Sequence, residues 1–172
     1  MIKKFVPYLH VNSIYEIDIN ALKKAGIKGI ITDLDNTLVG AKVPLATPEL
    51  IEWLKQLKEI GFKVVIVSNN NHARVSKFAL PLNIPFLPNA RKPTNLAFKK
   101  ALQLMSLKAS ETVVIGDQLL TDVYGGNRFG LNTILVKPVS IGEDSFFTRI
   151  NRRIERIILS KLKKKGLMPW ED

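Results

Sequence analysis

The strongest constraint on this chain is a series of short, β-branched, nearly uninterrupted apolar runs that alternate with stretches of helical period. Gly29-Ile30-Ile31-Thr32 runs into Asp33, and Lys63-Val64-Val65-Ile66-Val67 into Ser68. Thr112-Val113-Val114-Ile115 runs into Gly116-Asp117, and Thr133-Ile134-Leu135-Val136 ends near Pro138. Ile84-Pro85-Phe86-Leu87 is a weaker run, and its proline places it at a sheet edge. Strands without polar alternation are apolar on both faces, the pattern of a parallel sheet covered by helices on each side.

The crossovers lie between these runs. Thr47-Pro48-Glu49 supplies a cap, a proline at the first helical position and an acid in the first turn. It opens a helix through Leu50, Ile51, Leu54, Leu57 and Lys58 that Gly61 closes. A second helix begins near Asn71 and carries Val75, Phe78 and Ala79; Thr94 caps a third with Leu96, Ala97, Ala101, Leu102 and Leu104. Thr121-Asp122 opens a fourth, in which Gly125 and Gly126 allow close approach to a strand. This β-α-β-α order predicts a doubly wound, mainly parallel α/β sheet with right-handed crossovers.

At 172 residues the expectation is one domain. No apolar run approaches the roughly 20 residues that cross a bilayer. Pro7, His10 and Asn12 interrupt the start, so no signal peptide is read. There is no cysteine, which excludes disulfides, thiolate metal sites and cysteine nucleophiles and fits a cytoplasmic location.

Ligands in doubly wound sheets bind beyond the carboxyl ends of the strands, where Asp33, Ser68 and Asp117 all stand. In Asp33-Leu34-Asp35-Asn36-Thr37, two carboxylates one residue apart can divide attack on phosphorus from protonation of the leaving oxygen. The same spacing occurs in calcium loops and in ordinary turns. Ser68-Asn69 offers a hydroxyl and a backbone N–H to a phosphoryl oxygen. Lys92, in Arg91-Lys92-Pro93-Thr94, can set an ammonium on the same phosphate and offset its repulsion by Asp33. Asp117 is a candidate metal ligand, and Asp122 would orient that ligand or a metal-bound water. Mg2+ prefers oxygen ligands and keeps several waters, so a few carboxylates and one carbonyl suffice. His72 and Arg74 read as the first turns of a helix, with Arg74 at best near the substrate, and Asn36 either tunes the loop or makes an Asx turn.

Together, Asp-x-Asp-x-Thr, Ser, Lys-Pro and Gly-Asp-x-x-x-Thr-Asp resemble the motifs of the haloacid dehalogenase-type phosphatases over about residues 27–138. The resemblance implies an aspartyl-phosphate on Asp33, with Asp35 as acid and then base. It implies phosphate binding by Thr37, Ser68, Asn69 and Lys92, and Mg2+ on Asp33, the Asp35 carbonyl, Asp117 and Asp122. Relatives often insert a cap domain after the first or second motif. Here the gaps from Thr37 to Ser68 and from Ser68 to Lys92 hold neither, so the site should be open, as in the capless subclass III. An open site admits a phosphate carried on something large, or takes an oligomeric neighbour as cover.

Lysine and arginine outnumber aspartate and glutamate by 26 to 15, for a net charge of +11, which points to an anionic partner. Residues 146–165 hold Arg149, Arg152, Arg153, Arg156, Lys161, Lys163, Lys164 and Lys165 against Glu155 alone. Phe147, Ile150, Ile154, Ile157, Ile158 and Leu162 recur there at helical spacing, with the arginines on the opposite face. Such a basic amphipathic helix, here about 145–165, suits an anionic lipid surface, where each basic residue adds about 1 kcal/mol. Packing of the stripe on the domain, and nucleic acid as partner, are the other readings.

With Phe5-Val6-Pro7, Asp33 to Val39 and Asn151-Arg152-Arg153-Ile154-Glu155, the chain resembles the YqeG-type branch, itself similar to mitochondrial phosphatidylglycerophosphate phosphatases. That implies conversion of phosphatidylglycerophosphate to phosphatidylglycerol at the inner face of the membrane. A soluble phosphatase for a nucleotide, sugar phosphate or nucleic-acid end, and a nucleic-acid or ribosome-associated binding module, are the alternatives.

Overall fold

The apolar runs become strands of one parallel sheet: β1 (Leu9–Val11), β2 (Gly29–Thr32), β3 (Lys63–Val67), β4 (Phe86–Leu87), β5 (Thr112–Gly116) and β6 (Asn132–Val136). Their order is β1-β6-β5-β2-β3-β4. The computed structural model describes residues 1–142 and 144–168. β4 is an edge strand, as Pro85 predicts. β1 was not expected from the sequence. It is three residues long, half exposed, and forms against β6, so long-range pairing rather than its own pattern defines it.

Both sheet faces are covered because side chains alternate along each strand. Ile30, Ile66, Val113, Ile115 and Ile134 face one layer, which includes α2 (Pro48–Ile60) and α3 (His72–Ala79). Ile31, Val65, Val67 and Val114 face the other, built around Ala97, Phe98, Ala101 and Met105 of α4 (Asn95–Met105). Leu50, Leu57, Phe78 and Phe98 are fully buried, and each such side chain contributes about 1.5–3 kcal/mol. The caps follow the sequence: Thr47 accepts from the Leu50 N–H, Asn71 from the Arg74 N–H, and Gly61 closes α2 in the left-handed region. Thr94 stands at the start of α4 without a side-chain cap bond.

The fourth helix differs from expectation. A π-helical stretch, Leu119–Tyr124, opens after Gln118 and passes into the short α5 (Gly125–Phe129), so Thr121 and Asp122 lie inside the turn rather than at its start. Gly126 allows close approach to a strand as expected, whereas Gly125 lies against Phe98 and Pro93 at the start of α4. A Cβ on Gly126 would stand 2.6 Å from Thr133 Cγ2, so this segment could not approach β6 with any larger residue.

The chain steps from β2 outward through β3 to β4, then returns to place β5 on the other side of β2. The strand order therefore reverses between β2 and β5, and a crevice opens at their carboxyl ends. From β2 to β3 there is one loop and α2; from β3 to Lys92 there are α3, a short turn and β4. No cap domain stands at either point.

The C-terminal helix, α6 (Phe146–Lys164), is capped by Ser145, whose hydroxyl accepts from the Thr148 N–H. The predicted apolar stripe splits in two. Leu162 is buried and Ile158 partly so, whereas Phe147, Ile150, Ile154 and Ile157 stay exposed. The docked face also carries buried Glu155 and the partly buried Arg152. The reading in which the stripe packs on the domain with all four arginines solvated thus fails at Arg152, which is held by Asp117 and Asp144. Among the described residues no helix is long and apolar enough to cross a membrane.

Candidate active site

β2 delivers Asp33 to the crevice, and the Asp33 N–H bonds the Ile115 carbonyl of β5 at 2.9 Å. The following loop turns back through Asn36, at φ 64°, whose N–H bonds the Val39 carbonyl at 2.7 Å. An asparagine is tolerated in that left-handed conformation where most residues are not. Asp33, Asp117 and Asp122 come together there, all buried, with one oxygen of each within 4.8 Å of the others.

Lys92 joins two of these acids: its Nζ lies 2.9 Å from Asp33 Oδ1 and 2.6 Å from Asp122 Oδ1. Thr37 Oγ1 is 2.9 Å from Asp117 Oδ1 and 3.4 Å from Asp33 Oδ2, so its single proton goes to Asp117. Asp122 is steadied by the Gln118 N–H at 3.2 Å. Ser68 is buried at the end of β3, and its hydroxyl accepts from the Asn70 N–H at 3.1 Å. The Asn69 side chain clasps the Lys92 backbone, accepting from its N–H at 2.7 Å and donating to its carbonyl at 3.1 Å. That side chain therefore sets the position of Lys92.

Asp35 lies apart from the acidic trio. Its carboxylate accepts from Asn70 Nδ2 at 2.7 Å and from Arg74 Nε and Nη2 at 3.0 and 2.9 Å. Asp33, Asp35, Ser68 and Asn69 open into a cavity of about 920 Å³, whose remaining wall includes Phe147, Thr148 and Asn151 of α6.

Charge is crowded here. Burial first, then the neighbouring Asp33 and Asp122, push the Asp117 carboxyl up to about 8, with Arg152 opposing. Burial also raises Asp33, against the pull of Lys92. Burial alone would lower Lys92, but Asp122 and Asp33 outweigh it and hold the ammonium above its usual range. A buried trio of carboxylates with more negative than positive charge, offering oxygen donors alone, fits a hard divalent cation such as Mg2+.

A haloacid dehalogenase-like hydrolase family model matches residues 30–91, and a HAD-hydrolase-like model matches residues 89–139. Over 173 residues the chain is 57% identical to a Bacillus subtilis (strain 168) protein named "Probable phosphatase YqeG", covering 100% of both. The chain belongs to the haloacid dehalogenase-like hydrolases, as a capless phosphatase of the YqeG type.

This haloacid dehalogenase-like phosphatase is 29% identical over 178 residues to phosphatidylglycerophosphate phosphatase 1, chloroplastic/mitochondrial, of Arabidopsis thaliana, covering 97% of this chain and 51% of that protein. It also shares its fold with the cobalt-bound deoxy-D-mannose-octulosonate 8-phosphate phosphatase of Haemophilus influenzae, at TM-score 0.53 and 17% identity, over 86% and 96% of the two chains. Around the expected positions the phosphatase adds residues that sequence reasoning left out. Arg74 grips Asp35, and Arg152 reaches Asp117 from α6. Asn36 is more than an Asx turn: its side chain accepts from Ser140 Oγ at 2.6 Å and donates to Asp144 at 3.1 Å. The sole sequence signal for Arg152 was the proximity of a single acid, Glu155, in an otherwise basic helix.

Proposed function

We propose that this phosphatase removes the terminal phosphate of phosphatidylglycerophosphate, giving phosphatidylglycerol, by way of an aspartyl-phosphate on Asp33. The observation that carries the lipid assignment is the placement of α6. Its first turns wall the open cavity while Phe147, Ile150, Ile154 and Ile157 remain exposed beside Arg149, Arg153 and Arg156. An apolar strip edged with arginine suits the boundary of an anionic bilayer. The name of the Arabidopsis relative supports the same substrate. On this reading residues 1–172 act as one capless unit, with its catalytic core at about 27–138, peripheral at the inner face of the membrane.

The positions of the side chains support the following chemistry. Asp33 attacks phosphorus as the bond to the leaving oxygen breaks, and Asp35 gives that oxygen its proton. Asp35 then takes a proton from water, which attacks the phosphorus, and Asp33 is released with inorganic phosphate. Lys92, Thr37, Ser68 and the backbone at Asn69 hold the phosphoryl oxygens, and the ammonium offsets their repulsion by Asp33. Mg2+, held by Asp33, Asp117, Asp122 and the Asp35 carbonyl, would neutralise charge on the transferring group.

Two measurements test this. Asp33→Asn should abolish Mg2+-dependent phosphate release with the fold intact; full activity, after back-deamidation is excluded, removes Asp33 as nucleophile. Phosphatidylglycerophosphate in vesicles should be preferred over soluble nucleotide, sugar and glycerol phosphates. A preference of tenfold or more in kcat/KM for a soluble ester, about 1.4 kcal/mol, moves the assignment to that substrate.

A further inference from the structure

We propose that Arg152 is a positioning residue of the reaction: it fixes the Asp117 carboxylate within the acidic trio, which makes α6 a working part of the active site. The inference rests on the reading of Asp117 as a metal ligand.

Arg152 holds Asp117 at two points. Nη2 donates to Oδ2 at 2.5 Å and Nη1 to the main-chain carbonyl at 3.0 Å. A planar guanidinium that grips both the side chain and the backbone of one residue leaves that carboxylate little freedom to rotate. Thr37 holds the other oxygen, so both are oriented before any ligand arrives.

The guanidinium is itself fixed. Its Nε lies 3.5 Å from Asp144 Oδ2, and its Nη1 lies 3.7 Å from Glu155 Oε2. Asp144 accepts from Asn36, the residue that follows Asp35 in the loop after β2. Glu155 accepts from the Leu120 N–H at 3.1 Å, in the turn that carries Asp122. Arg152 therefore ties together the loop after β2, the turn after β5 and the C-terminal helix.

The distribution of charge gives the same assignment. Lys92 pairs with Asp33 and Asp122, and among the described residues the ion pair of Asp117 is with Arg152. The Asp117 side chain is 0% exposed, so without Arg152 it would be a buried charge with no cation against it. A carboxylate offers about four acceptor directions, so the two donors on Asp117 leave room for a cation. An arginine acting as a latch, blocking the cation, would have the opposite effect on binding.

The test is calorimetric titration of Mg2+ alone into the full chain as wild type, Arg152→Gln, Arg152→Lys, Asp144→Asn and Asp117→Asn. Steady-state kinetics on p-nitrophenyl phosphate run in parallel. Arg152→Gln is expected to weaken Mg2+ binding about 10- to 100-fold, with kcat at limiting Mg2+ falling more than KM rises. Arg152→Lys should recover part of the affinity. Asp144→Asn, which loosens the arginine without removing it, should shift affinity the same way by less and serves if Arg152→Gln does not fold. Unchanged or tighter Mg2+ binding in Arg152→Gln and Asp144→Asn, while Asp117→Asn loses it, overturns the positioning role and leaves the metal site standing. Unchanged binding in Asp117→Asn removes the reading on which the inference rests.

Discussion

Arg74 donates from Nε and Nη2 to one and the same oxygen of Asp35, Oδ1, at 3.0 and 2.9 Å. Its Nη1 donates to the Val43 carbonyl at 2.6 Å and Nη2 also reaches the Gly40 carbonyl at 3.5 Å, so the arginine braces Asp35 against the loop that follows it. A proton donor has to be aimed to be useful, and its aim matters most when the leaving oxygen is a poor one. Arg74→Met should reduce kcat/KM about 100-fold for an alkyl phosphate and about tenfold less severely for p-nitrophenyl phosphate, whose phenolate departs without a proton. Equal losses on both substrates would remove the link from Arg74 through Asp35 to the leaving group.

Gly116 shows how tightly the acidic trio is seated. A Cβ built there would stand 2.2 Å from Asp122 Cγ and 2.4 Å from Asp122 Cβ. Gly116→Ala must displace Asp122, and with it the bond to Lys92. We expect a loss of about 1–3 kcal/mol in urea unfolding from overpacking, accompanied by weaker Mg2+ dependence of activity. Wild-type stability and wild-type Mg2+ response in that variant would contradict the placement of Asp122.

Glu155 yields a pH prediction. Burial, opposed by its bond from the Leu120 N–H and by Arg152, raises its carboxyl to about 7 from the ordinary 4.5. Between those two values the folded state holds a proton that the unfolded chain has lost. The Glu155 contribution to stability is therefore fully present below about 4.5 and is lost as pH rises through about 7. Glu155→Gln should flatten that part of the stability curve, measured by urea midpoints from pH 4.5 to 8. An identical slope in wild type and variant would refute it.

The exposed strip on α6 can be tested apart from the chemistry. Replacing Ile150, Ile154 and Ile157 together by asparagine should release the protein from vesicles rich in anionic lipid, read by co-sedimentation. Each buried aliphatic side chain contributes about 1.5–3 kcal/mol, so the triple variant should show little residual binding. Undiminished sedimentation would place the lipid contact elsewhere.

The strands and the acids at their ends were legible because local pattern determines both. β2, β3 and β5 each carry an unbroken apolar run, Ile30-Ile31, Val64 to Val67 and Val113 to Ile115, and a polar residue of the site follows close behind each run. What escaped reading depends on contacts distant in sequence. Arg74 meets Asp35 across 39 positions, Arg152 meets Asp117 across 35, and Asn36 meets Asp144 across 108. None of those pairings leaves a periodic signal. The α6 stripe left its partner open for a related reason: helical spacing identifies an apolar face but cannot tell whether solvent, protein or lipid meets it. Asp117 and Asp144 hold Arg152 on the docked face of the helix, while Ile150, Ile154 and Ile157 stay exposed.

The missing cap has one more consequence. Enzymes that close a domain over their substrate exclude water by their own motion, and that closure marks the start of each turnover. Here part of the cavity wall is the first part of a helix pinned through Arg152, Glu155 and Leu162, and among the described residues no hinged domain stands above it. On the proposed lipid reading, water exclusion would fall to the surface that presents the substrate. If the phosphate is a lipid's, the bilayer that presents it also serves as the lid, and turnover becomes a property of the surface on which the protein rests.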